Sequence, residues 1–191
     1  MSQAQVILDF WFGHPHEPDY GKPKSFWFTQ QPEFDEKLKH RFLQDYQQAA
    51  AGYLDDWLNL PKTCLALIIL LDQFPRNMFR GTPEAFATDW EALSAAQHAV
   101  AQGFDNEFLP VQRWFIYLPF EHSENLANQQ QSVKLFQQLN DDPDSAIAIE
   151  SALRHLEIIE RFGRFPHRNT ILGRASTQVE EDFLKQPGAS F

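Results

Sequence analysis

Cysteine is almost missing from this sequence: Cys64 is the only one in 191 residues, so no internal disulfide can form and a reducing compartment, the cytoplasm, is the natural expectation. Its neighbours Leu65 to Leu71 are all apolar, which marks the thiol as buried and inert rather than nucleophilic. That run is too short to span a bilayer, and Asp9 interrupts the first apolar stretch, which no basic region precedes, so neither a membrane span nor a signal peptide is expected. Positive charge is also scarce: the net charge of −10 argues against a broad nucleic-acid or anionic-membrane surface. Strand-like alternation and Asn-Gly or Asp-Gly hairpin turns do not occur, which removes the signals of a β fold. His-Glu-x-x-His, paired Glu-x-x-His and paired cysteines are absent, and Gly81 and Gly163 belong to no phosphate-binding loop. No metal and no cofactor is therefore expected.

What the chain does contain is unusually aromatic, with 18 Phe and 5 Trp. Large rings must dominate the packing, and Trp27, Phe74, Trp114, Phe162 and Phe165 are read as core before pocket walls. Arginine is clustered: of the nine, Arg76, Arg80, Arg161, Arg164, Arg168 and Arg174 fall in or beside two related segments, and none of the seven lysines does. Those segments are 72–82 and 162–174, each reading as the end of a helix, a Phe-Pro corner, and then Arg and Asn before a Gly. A guanidinium fork suits bidentate contact with carboxylate or phosphate, so the bias points to shaped anion contacts.

Periodicity supports helices throughout. Phe34, Leu38, Phe42 and Tyr46 recur every fourth residue after Pro32. The helix opened by Pro61 is apolar all round and therefore central, and Asp72 near its end needs a cationic partner. Thr82-Pro83-Glu84 reads as the start of an alanine-rich helix running to Gly103, and Pro119 as the end or kink of the one opened by Pro110. Glu121 to Glu124 are expected in the first turn of a long helix. Another runs from Ala146 to Gly163, and Thr177 with Glu180 makes a capping box for a short last one. The expected architecture is one all-α domain, 1–191, of roughly seven to nine helices.

Four stretches, Leu8-Asp9-Phe10-Trp11-Phe12-Gly13, Leu71-Asp72-Gln73-Phe74-Pro75-Arg76-Asn77, Leu118-Pro119-Phe120-Glu121-His122-Ser123-Glu124 and Phe162 to Asn169, together resemble the bacterial domain-of-unknown-function family numbered 924. The resemblance runs from about residue 6 to about residue 184. It implies stacked antiparallel helical hairpins in a tetratricopeptide-like superhelix, and it implies no activity. The Trp, Leu-Gly and Tyr spacing of true tetratricopeptide repeats is not present.

The candidate site joins Asp72, Arg76, Asn77 and Arg80 with His122, Ser123 and Glu124, and with Arg164, His167, Arg168, Asn169 and Arg174; His155 is placed to join them. In one reading it is an Arg-rich cleft for an anionic small molecule or an acidic peptide, with no nucleic-acid or membrane partner. In a second, His122 moves a proton with Glu124 orienting it, in a small hydrolase of an anionic substrate. In a third, the same residues form a structural network within an interaction scaffold. A Ser123-His122-Glu124 triad is disfavoured, because consecutive residues on a helix point in different directions.

Overall fold

A computed structural model describes residues 2–189. Among them are eight helices and no strand, so the protein is all-α: α1 (Gln3–Phe12), α2 (Pro32–Ala50), α3 (Pro61–Met78), α4 (Asp89–Ala101), α5 (Pro110–Glu121), α6 (Leu126–Gln137), α7 (Ala146–Phe162) and α8 (Gln178–Leu184). From α2 to α7 each helix packs on the next, while α3 also touches α1 and α5. No helix of the described residues is long and apolar enough to cross a membrane.

The all-round apolar sequence of α3 has the expected result, since every residue from Cys64 to Pro75 is buried. Leu38, Phe42 and Tyr46 of α2 line one side of it, and five alanines of the 85–99 stretch let α4 approach on the other. The aromatic residues after the 14–24 loop fold back as a plug. The Trp27 indole donates to the Trp11 carbonyl at 3.1 Å, and its ring meets Phe115 edge-on at 4.8 Å.

Pro75 behaves differently from its sequence reading, with a clear physical cause. Pro75 lies inside α3 rather than at a corner after it. Lacking an N–H, it leaves the Leu71 carbonyl one turn back without its helical donor. Thr88 supplies the replacement, its hydroxyl donating to that carbonyl at 2.6 Å. This bond also explains why the Ala-rich helix is not continuous from residue 82. Pro83–Phe86 forms a short 3-10 turn, the chain bends, and α4 starts only at Asp89, directly after the threonine that has turned inward. Pro119 lies in the last turn of α5, which continues to Glu121. His122 caps that helix and α6 begins at Leu126, so Glu121 to Glu124 form the end of one helix and a turn instead of a first turn.

Gly163 closes α7 in the left-handed conformation at φ 68°, and the Thr177–Glu180 capping box opens α8 as expected. A small second core of Ile158, Ile159 and Phe165, with Phe162 and Phe183 against it, seats the C-terminal segment.

Phe74 is fully buried between Trp11 and Phe42, at ring distances of 5.6 Å and 5.2 Å. Phe74→Ala is expected to lose about 3–5 kcal/mol in denaturant unfolding; a loss below about 1 kcal/mol would contradict this packing.

Candidate functional site

The site begins with Asp72, whose exposure is 0%. It and Arg76 are one helical turn apart on the same face of α3. The Arg76 Nη1 lies 3.5 Å from Asp72 Oδ1, and donates to the Asp72 carbonyl at 2.8 Å and to Asp89 Oδ1 at 2.7 Å. Asp89 is present because α4 starts where Thr88 is pinned. Its other oxygen, Oδ2, faces Arg168 Nη1 at 3.4 Å. The two arginine segments therefore meet across one carboxylate.

Arg168 is buried and held between two rings, with its Cζ 4.7 Å from the Phe86 centroid and 4.6 Å from that of Phe165. Arg76 also lies over Phe86, at 5.7 Å. Both guanidiniums keep buried N–H groups without a protein partner among the described residues: Nη2 of Arg76 and Nε of Arg168. Burial, and then Arg76, pull the Arg168 pKa down to about 10, which leaves it charged at neutral pH.

His122 joins this group through Asp72 and not through Glu124 as the sequence reading had it: its Nδ1 is 2.7 Å from Asp72 Oδ1. Burial raises the Asp72 pKa, but Arg76 and His122 outweigh it and hold the carboxyl near 2, so Asp72 is an acceptor. Burial and Arg76 lower the His122 pKa despite Asp72. The pair is thus an ionised aspartate whose countercharge is Arg76, accepting an N–H from a neutral imidazole. Glu124 lies elsewhere, taking the Phe165 N–H at 2.7 Å and both Nη groups of Arg174 at 2.6 Å and 2.9 Å.

The remaining candidates separate into two further groups. Asn77 and Arg80 face α2, where Asn77 Nδ2 donates to Asp35 Oδ1 at 2.7 Å and Arg80 Nε to Asp35 Oδ2 at 3.1 Å. Asn77 is one residue on from Arg76, about 100° round the helix, and so cannot share its face. Arg164, Asn169 and Arg174 form a clasp over the C-terminal segment. Arg164 grips Glu180 at 2.6 Å and 2.8 Å, Arg174 Nε donates to Asn169 Oδ1 at 3.0 Å, and Asn169 Nδ2 donates to Ser176 at 3.1 Å. Ser123 accepts from Asn125 and Asn128 in its own turn, away from any nucleophilic alignment. His167 packs beside Phe165, and burial with Arg168 lowers its pKa to about 4.

Behind His122 is a second buried pair. Glu121 Oε1 accepts from Ser151 Oγ at 2.9 Å and lies 3.0 Å from His155 Nδ1, which is itself 2.9 Å from the Ser151 carbonyl. Burial lifts the Glu121 pKa to about 8 and drops that of His155 to about 3, favouring the neutral form of each although their distance is that of an ion pair. Sequence reasoning missed Asp89, Phe86 and Asp35, the residues that sort the arginines. Among the described residues no cluster of His, Cys, Asp and Glu could hold a metal. Two grooves, of about 960 and 310 Å³, lie along α2 and beside Pro110; no member of the arginine cluster lines either.

A family model described as a bacterial protein of unknown function (DUF924) matches residues 7–188. A solved structure of a protein of unknown function from Agrobacterium tumefaciens is 41% identical in sequence, with a TM-score of 0.85 over 95% of this chain and 96% of that one. No curated protein matches.

A carboxyl whose folded pKa is raised from 4.5 to about 8 contributes stability that is complete below 4.5 and lost as pH rises through 8. Glu121→Gln removes that dependence. Between about pH 7 and about pH 9 the wild type is expected to lose about 1 kcal/mol more unfolding free energy than Glu121→Gln. Parallel pH profiles for the two proteins would contradict a neutral Glu121.

Proposed function

Because the chain belongs to the bacterial DUF924 family, to which no activity is attached, we propose from the site itself that this protein binds the anionic group of a small molecule between Arg76 and Arg168. One observation carries the reading: two adjacent guanidiniums share Asp89, yet Arg76 Nη2 and Arg168 Nε, both buried, have no protein acceptor among the described residues. Buried donors without acceptors are costly, and a carboxylate or phosphate oxygen is the natural complement of a guanidinium edge. The Arg76 and His122 side chains are only 18% and 15% exposed, which suits a small anion or an acidic peptide terminus better than an extended surface. The tetratricopeptide-like winding belongs to the same proposal, supported by the packing of each helix on its successor.

A second reading is favoured by the Asp72–His122 pair. An ionised aspartate fixing Nδ1–H leaves Nε2 as a base within reach of the Arg76 charge, the requirement for proton abstraction from an anionic substrate or its attacking water. In that reading Asp72, not Glu124, is the positioning residue.

A thermal-shift screen with small carboxylates, phosphates and sulfates tests the proposal. A concentration-dependent rise in melting temperature is expected for the wild type and its loss for Arg168→Gln. If no anion shifts the wild type and Arg168→Gln merely melts at a lower temperature, the arginines are a structural network and the proposal fails. Turnover of a bound anion that disappears in His122→Ala while binding persists selects the second reading.

A further inference from the structure

The guanidiniums specify charge, but the imidazole beside them specifies hydrogen bonding, and on the anion-binding reading this narrows the ligand. Asp72 has no exposure, and its two oxygens take His122 Nδ1 at 2.7 Å and Gln73 Nε2 at 2.6 Å. An ionised carboxylate only accepts, so the hydrogen of the first bond sits on Nδ1. In a neutral imidazole the other nitrogen, Nε2, is then an acceptor. It has no protein partner among the described residues, while the side chain keeps 15% exposure. A second proton there is opposed from several sides. Arg76 of α3 acts directly on the ring, and His155 of α7 and His167 of the 166–168 turn would gain positive charge near it. Asp72 and Asp89 oppose them, and burial favours the neutral form of Glu121.

A ligand held by this group of residues therefore has N–H donors from the guanidiniums and a bare lone pair from the imidazole to satisfy. We propose that the ligand is an oxyanion that retains an O–H beside its charged oxygens, of the 2-hydroxycarboxylate or hydrogen phosphate type. Its anionic oxygens accept from Arg76 Nη2 and Arg168 Nε, and its hydroxyl donates to His122 Nε2. A plain carboxylate or sulfate leaves Nε2 desolvated and unpaired, an asymmetry that costs more than a formed hydrogen bond yields. An ammonium donor in place of the hydroxyl is repelled by the two guanidiniums.

Calorimetric titration of the full chain near neutral pH with two matched pairs, glycolate against acetate and phosphate against sulfate, tests this and separates the two sources of the hydroxyl. The expected result is about tenfold tighter binding of the hydroxyl-bearing member of at least one pair. That preference is expected to fall below about twofold in His122→Asn, whose amide N–H replaces Nδ1–H toward Asp72 but offers no Nε2 acceptor. A melting curve of His122→Asn checks that the variant folds. Equal affinity within both pairs overturns this inference and leaves the anion reading intact, and so does a preference that survives in a folded His122→Asn. Absence of binding by all four overturns both.

Discussion

A carboxylate with 0% exposure in the middle of the most buried helix is the constraint on which the arrangement of this molecule turns. Removing Asp72 from water carries a heavy penalty unless charge and hydrogen bonds replace the solvent. Arg76 supplies the charge from the next turn of the same helix, and His122 and Gln73 supply the hydrogen bonds. Arg76 in turn needs Asp89, and Asp89 bridges to Arg168 on a segment 79 residues further along. A chain of alternating charges thus runs from the core helix to the C-terminal turn. Each link is demanded by the one before it.

A backbone exchange places that chain. Pro75 cannot donate to Leu71, Thr88 does so instead, and the inward turn of Thr88 delivers Asp89 to the guanidiniums. A proline inside a helix normally costs about 3 kcal/mol or more. Here the orphaned carbonyl is satisfied by a hydroxyl from the neighbouring helix, and the local defect fixes the register between α3 and α4. The clasp of Glu124, Arg174, Asn169, Arg164 and Glu180 then holds residues 164–180 so that Phe165 and Arg168 stay in place. Buried pairs of this kind seldom add net stability over apolar packing. Two arginines with N–H groups left over are harder to account for as stability devices than as a ligand's complement.

Helix positions were largely legible, because period-four apolar patterns and cap residues such as Thr177 and Gly163 are local signals. The meeting of the two arginine segments was legible in outline from their shared composition. The internal position of Pro75, the break before Asp89 and the true partner of His122 were not. Each depends on a contact between residues 17 to 50 positions apart, and such contacts leave no periodic trace. Glu124 is the natural partner on sequence proximity alone. The end of α5 turns the chain so that Glu121, His122 and Glu124 face α7, α3 and the 165–174 segment respectively.

The state of His122 connects the buried carboxylate to everything proposed for the site, and imidazole nitrogen chemical shifts read it directly. At neutral pH, with no ligand added, the His122 signals should be those of a neutral ring with the hydrogen on Nδ1 and none on Nε2. A ring protonated on both nitrogens, or carrying its only hydrogen on Nε2, would mean that Asp72 is neutralised in some other way and that Nε2 offers no lone pair.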